Sequence, residues 1–79
     1  MPARRTPLPD AVLRRRTALG ARIVELRRTA GLSQDQLADA IGMERRSIQR
    51  YEAGTRDPRF TDLVQIADAL GVPLADLVR

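Results

Sequence analysis

The 79-residue sequence contains no cysteine, no histidine, no tryptophan and no lysine. The absence of cysteine and histidine excludes disulfide bonds, thiolate nucleophiles, imidazole bases and the usual zinc ligands, so any metal would have to be held by carboxylates alone. A chain this short forms one domain that buries only roughly 60% of its unfolded surface, which leaves little room for a catalytic cavity. We therefore expect neither an enzyme nor a cofactor.

Long apolar runs are also missing. No stretch approaches the roughly 18 apolar residues of a membrane-spanning helix, and the first residues, MPARRTPLPDAV, lack the apolar segment of a signal peptide. These observations predict a soluble protein of the cytoplasm that makes no membrane contact.

Arginine supplies all 14 basic residues, and its distribution along the chain is uneven. Residues 1–31 hold eight arginines against two acids, whereas residues 32–79 hold six arginines against eight acids. Clustered arginine is typical of nucleic-acid binding, although an anionic membrane or an acidic partner would also attract it.

The N-terminal part divides into an arm and a long helix. Residues 1–9 contain three prolines and predict a flexible basic arm, whereas residues 10–79 predict one folded domain. Asp10 is a candidate cap for a helix that runs to Gly31, with apolar residues at helical spacing on one face. We interpret the run Arg14–Arg16 on this helix as a solvated face, with contact to a nucleic-acid backbone as the alternative.

Capping residues and the helical spacing of apolar residues predict the remaining helices. Ser33 and Gln36 form an S-x-x-Q capping box that opens a helix through Ile41, and Gly42 supplies a tight turn before the next helix. The segments RFTDLVQIADALG and VPLADLV predict two further helices. The expected fold is all-α, a compact bundle of about five short helices.

The stretch MERRSIQRYEAG, residues 43–54, has two chemically different sides if it is helical. Its apolar side faces inward, and its other side carries Arg45, Arg46, Gln49 and Arg50. Arginine pairs bidentately with guanine and glutamine with adenine, so these residue types read base edges in the major groove. A solvated helix face is the alternative interpretation.

The segment LSQDQLADAIGMERRSIQRYEAG resembles the lambda-repressor-like (Cro/XRE-type) helix-turn-helix family. The matching residues are Gln34, Leu37, Ala38, Gly42, Ile48, Tyr51 and Glu52. The resemblance extends from about Leu19 to Val78 and implies a helix-turn-helix unit at about residues 33–53. It also implies that the helix from about residue 44 to 53 lies in the DNA major groove.

The same resemblance implies roles for individual residues. Gln34 is expected to meet a phosphate, and Arg45, Arg46 and Arg50 are expected to read bases with Gln49 beside them. A loop with Arg56 and Arg59 is expected to contact the DNA backbone, while Asp57 between them would repel it. Arg27 and Glu52 are expected to form a structural ion pair between the first and third helices.

Two assignments stay open at the level of sequence. Glu44 stands where the family often has a Ser or Thr cap, so it either substitutes for that cap or contacts a base. Arg4 and Arg5 in the arm either enter a minor groove or add nonspecific attraction.

We expect a sequence-specific double-stranded DNA-binding transcriptional regulator, with repression as the expected mode. One recognition helix reads few base pairs, which favours a homodimer on a palindromic operator. Val72, Leu74, Leu77 and Val78 are candidates for the dimer contact, although they could equally complete the monomer core. No small-molecule effector site is evident, and the alternative function is an antitoxin or accessory protein-interaction module.

Overall fold

The computed structural model describes residues 7–79. In this range the chain forms helices and connecting turns without any strand, so the expected all-α fold of five helices is confirmed. The helices are α1 (Asp10–Thr29), α2 (Gln34–Ile41), α3 (Arg45–Glu52), α4 (Phe60–Leu70) and α5 (Leu74–Val78). None of these helices combines the length with the apolar composition that crossing a bilayer requires.

The long helix α1 begins one residue earlier than an N-cap at Asp10 would place it. Pro9 occupies the N-cap position, with no side-chain hydrogen bond, and Asp10 is the first helical residue. The expectation that Asp10 caps the helix is therefore wrong, but its carboxylate still lies at the positive end of the helix dipole. Arg4 and Arg5 lie outside the described residues.

The turn between α2 and α3 follows from local sequence. Ser33 Oγ accepts from the Gln36 N–H at 3.0 Å, and Gln36 Oε1 accepts from the Ser33 N–H at 2.8 Å, so the expected capping box is present. Gly42 ends α2 with φ of 70°, a left-handed conformation that other residues rarely adopt. The Met43 N–H then bonds the Ala38 carbonyl at 2.9 Å, and α3 starts two residues later.

Every helix contributes one fully buried aliphatic side chain to the core. These five are Ile23, Leu37, Ile48, Ile66 and Leu77. Burying such a side chain stabilises the folded state by about 1.5–3 kcal/mol. Even the five-residue α5 is therefore held against the bundle by Leu77. The short α2 and α3 are therefore held by their neighbours on the apolar side, which leaves their other side open.

Helices α1 and α3 cross at Gly20, which is buried in the middle of α1. A Cβ at this position would collide with the carbonyl oxygens of Tyr51 and Glu52, the latter only 2.5 Å away. The backbone of α3 therefore lies directly against α1, and the angle at which α3 leaves the core is fixed by this close approach.

Candidate nucleic-acid interface

Helix α3 separates a buried face from an exposed one. Ile48 is fully buried and Tyr51 is 4% exposed, and both pack in the core. The four polar residues on the opposite side, which we call the basic ridge, are all exposed: Arg45, Arg46, Gln49 and Arg50. An α-helix fits the major groove of B-DNA, so an exposed helix of this composition has the shape and the donor groups for base contacts.

The residues of the basic ridge differ in how they are held. Arg45 Nη1 lies 3.6 Å from Asp35 Oδ2 on α2. With the Gln49 amide oriented so that its oxygen faces Arg45, this oxygen accepts a hydrogen bond from Arg45 Nε at 3.2 Å. Arg46 and Arg50 take part in no ion pair among residues 7–79. These two guanidinium groups can therefore bind a ligand without breaking an ion pair to the rest of the described chain.

Glu44 is exposed and occupies the N-cap position of α3, with extended backbone angles and no side-chain hydrogen bond to the helix. Its position agrees with the cap interpretation, but the carboxylate does not satisfy a backbone N–H as a Ser or Thr cap would. Its charge lies at the positive end of the helix dipole. A base contact by this carboxylate stays a prediction.

A buried ionic cluster joins the first three helices. Arg27 Nε donates to Glu52 Oε2 at 2.7 Å, and Arg27 Nη2 donates to Glu52 Oε1 at 3.1 Å, so the pair is bidentate. Arg27 also donates to the Leu32 carbonyl at 2.8 Å, and Gln34 donates from its amide to Glu52 Oε1 at 2.9 Å. The side chains of Arg27 and Glu52 are 10% and 5% exposed, which makes this a buried pair.

The cluster has two consequences for the site. The hydrogen bond to Glu52 raises the pKa of Arg27 above its ordinary value and outweighs the opposing effect of burial, so the guanidinium stays charged. Gln34, expected at a phosphate, starts α2 with its amide on Glu52, which ties the first turn of α2 to the end of α3. Phosphate binding by Gln34 stays a prediction.

The start of α4 is built around a buried carboxylate, Asp62, which the sequence did not single out. Asp62 Oδ2 accepts from the Tyr51 hydroxyl at 3.1 Å and from the Arg59 N–H at 3.1 Å, with Arg59 Nε at 3.4 Å. Burial by itself would raise the pKa of Asp62, but the hydrogen bonds from Arg59 and Tyr51 outweigh it and lower the pKa below its ordinary value. Burial and the bond to Asp62 raise the pKa of Tyr51.

This arrangement positions the two arginines of the loop between α3 and α4, residues 53–59, which we call the α3–α4 loop. The Arg59 side chain is 81% exposed although one edge touches Asp62. The Arg56 guanidinium lies over the Tyr51 ring, 5.9 Å from its centroid, a distance suited to a cation–π contact. Both arginines are thus held by buried residues, Arg56 by Tyr51 of α3 and Arg59 by Asp62 of α4.

Arg16 has a role that its sequence context did not indicate. The interpretation of Arg14–Arg16 as a solvated face is wrong at Arg16, which is half-buried and donates from Nε to the Gly54 carbonyl at 2.8 Å. The two residues are far apart in the chain, and no local pattern marks a contact that depends on how α1 crosses α3. For Asp62, a signal was present: an acid three residues after the N-cap is a common helix-start arrangement.

Residues 7–79 contain no cluster of three or more His, Cys, Asp or Glu side chains that could hold a metal ion. A groove of about 410 Å³ lies between α1, the α3–α4 loop and α5, with walls formed by Val12, Arg16 and Val78 among others.

The tight glycine turn, the two short helices and the exposed basic ridge define a helix-turn-helix domain. The family model described as helix-turn-helix domain matches residues 18–79. The chain belongs to this family, and the expected resemblance is confirmed.

Named relatives fall in the same class. The chain is 33% identical over 63 residues to the uncharacterized HTH-type transcriptional regulator y4dJ of Sinorhizobium fredii, covering 80% of this chain and 82% of that one. It is 34% identical over 58 residues to the cryptic phage CTXphi transcriptional repressor RstR of Vibrio cholerae, covering 73% of this chain and 52% of the repressor. The chain therefore spans about half the length of the RstR repressor.

Solved structures agree with this assignment. The restriction-modification controller protein C.AhdI from Aeromonas hydrophila superposes with a TM-score of 0.76 at 33% identity, covering 85% of this chain and 97% of that one. The fold is thus shared over nearly the whole length of that controller protein.

Proposed function

We propose that this protein is a sequence-specific double-stranded DNA-binding transcriptional regulator, a repressor acting in the cytoplasm without catalysis. The observation that carries the proposal is the division of α3 into a buried apolar face and the exposed basic ridge. The family relationship supports it, because the relatives are named as transcriptional regulators or repressors. The family is a class of DNA-binding regulators and not a class of enzymes.

In this proposal α3 enters the major groove and the basic ridge reads base edges. Arg46 and Arg50 are the strongest candidates, because neither is engaged in an ion pair within the described chain. Gln34, Arg56 and Arg59 contact the phosphates around the groove, where the start of α2 offers unpaired N–H groups and a positive dipole end. The arm residues Arg4 and Arg5 add nonspecific attraction.

The regulator binds as a homodimer to a palindromic operator whose half-sites are about one helical turn, ~34 Å, apart. Of the residues expected at the dimer contact, Leu77 is 2% exposed and belongs to the core, whereas Val78 is 43% exposed. Val72 and Leu74 are partly buried and pack against the core. Of the four expected residues, Val78 therefore remains for the dimer contact, and the exposed Val12 borders the same groove and adds to this contact.

Selection from a random pool of duplex DNA tests the proposal, followed by titration of the enriched site against a scrambled duplex. We expect a palindromic site that binds two chains and is favoured at least ~10³-fold over the scramble. Arg46→Ala should change the preferred base at defined positions and weaken binding roughly five- to 150-fold, the range for losing one bidentate pair of about 1–3 kcal/mol.

Arg28→Ala is the matched control, because Arg28 is an exposed arginine on α1 outside the helix-turn-helix unit. It removes the same charge and should leave the base preference unchanged. Equal binding of all duplexes, lost uniformly as salt rises, would contradict specific recognition and turn the search to a protein partner. In the same selection, a shift of base preference by Glu44→Ser would establish a base contact by Glu44.

A further inference from the structure

The first half of α1 contacts the α3–α4 loop through Arg16. Arg16 Nε donates to the Gly54 carbonyl at 2.8 Å, and Arg16 Nη1 lies 3.7 Å from Asp57 Oδ1. Next to this pair the two backbones are in close contact, since a Cβ on Gly54 would lie 2.8 Å from Thr17 Cα. One arginine on α1 thus contacts both the start and the middle of the loop.

Arg16 faces Asp57, the one acidic residue of the α3–α4 loop and the one whose charge opposes DNA binding. Asp57 lies between Arg56 and Arg59 in the chain, and its carboxylate is 69% exposed. Beside a DNA backbone this carboxylate would repel phosphate within roughly 8–10 Å at ordinary salt. Arg16 supplies a positive charge next to it from the side of α1, where its own side chain is only 24% exposed.

The two arginines of the loop are placed differently. Arg56 lies over the Tyr51 ring, and Arg59 extends into solvent from the start of α4. Neither forms an ion pair with Asp57 among the described residues. Both side chains stay exposed, while Arg16 offsets Asp57 from the side of α1.

We propose that Arg16 is a positioning residue for DNA binding, which fixes the α3–α4 loop through Gly54 and offsets Asp57 so that Arg56 and Arg59 meet phosphate. This inference rests on the proposed function. Arg16 itself touches no DNA in this arrangement and acts through the loop.

A double-mutant cycle tests the proposal. The variants are Arg16→Gln, Asp57→Asn and the two together, with Arg15→Gln as the matched control. Arg15 is the adjacent arginine on α1 and is exposed, with a longer bond of 3.3 Å to the Val78 carbonyl. The dissociation constant for the selected duplex is measured at several salt concentrations, and thermal unfolding is measured for each variant.

We expect Arg16→Gln to weaken binding about three- to tenfold at ~0.1 M salt, and Arg15→Gln to weaken it less than about twofold. Asp57→Asn alone should change affinity less than about twofold, because Arg16 already offsets that carboxylate, but it should recover a larger factor in the Arg16→Gln background, where the carboxylate is unpaired. The affinity that is not recovered reports the lost bond to Gly54. Arg16→Lys, which keeps a charge near Asp57 but loses the planar fork, should bind between wild type and Arg16→Gln.

The cycle separates positioning from folding. A purely structural loss would lower the unfolding midpoint of Arg16→Gln and would not be reversed in the binding assay by Asp57→Asn. Equal weakening by Arg16→Gln and Arg15→Gln, or no rescue in the double variant, would overturn the inference. Failure of the proposed function would instead appear in the wild-type titration, as the absence of any preferred duplex.

Discussion

Replacing Gly20 with alanine should destabilise the protein, although the same change inside most helices is stabilising. Alanine has the higher helix propensity by about 1 kcal/mol, which alone would raise the free energy of unfolding. Here the new Cβ would lie 2.5 Å from the Glu52 carbonyl oxygen and closer still to that of Tyr51. Both obstacles are backbone atoms of α3, so no side-chain rotation can relieve the collision.

The expected magnitude follows from these opposing effects. The two helices would have to separate by roughly 1 Å to restore an ordinary contact of about 3.5 Å. Overpacking of this kind costs about 1–3 kcal/mol, and the separation would also stretch the Arg27–Glu52 pair that joins the same two helices. We expect a net loss of up to about 2 kcal/mol after the propensity gain, which lowers the unfolding midpoint by up to roughly 15 °C.

Urea unfolding followed by far-UV circular dichroism measures this loss, with an unchanged m-value showing that the folded state stays compact. Ala18→Gly is the control, because Ala18 is an exposed position on the same helix and reports the propensity term alone. If Gly20→Ala gains as much stability as Ala18→Gly loses, α1 and α3 are not in the close contact described above.

Two further predictions concern the buried charges. Arg27→Met should lower the free energy of unfolding by about 3 kcal/mol, because Glu52 is left buried without its partner. Adding Glu52→Leu should recover at least half of that loss, measured by denaturant unfolding. A double variant as unstable as Arg27→Met alone would contradict this prediction. Because the pKa of Asp62 is lower in the folded than in the unfolded state, its contribution is complete above about pH 4 and is lost as pH falls through the folded-state pKa. Asp62→Asn should therefore have a lower free energy of unfolding than wild type at neutral pH, and this difference should shrink as the pH falls below about 4. A difference that stays constant with pH would contradict the role assigned to Asp62.

Helix boundaries were largely predictable because they depend on local chemistry. The capping box at Ser33 and the turn at Gly42 are decided by residues within a few positions of each other. The exposed face of α3 followed in the same way from helical periodicity. The N-cap predicted at Asp10 was wrong by one residue. Pro9 occupies the N-cap position although it makes no side-chain hydrogen bond there, so the usual capping residue types did not mark it.

The contacts that assemble the candidate site were harder to foresee because they join residues distant in sequence. Arg16 bonds Gly54 across 38 positions, and Asp62 receives the Tyr51 hydroxyl from another helix. Such pairs depend on how the helices cross, which the apolar period of each helix does not specify. The ion pair of Arg27 and Glu52 was expected only from family resemblance, for the same reason.

The strict division of α3 bears on how operator preference can change over time. No residue of the basic ridge contributes to the buried core, and the residues that anchor α3, such as Ile48 and Tyr51, do not reach its outer surface. Surface substitutions away from buried features usually alter stability by less than about 0.5 kcal/mol. Under the proposed function, single substitutions on the ridge therefore give access to new DNA targets while the protein stays folded, and one scaffold can serve regulators with many different operators.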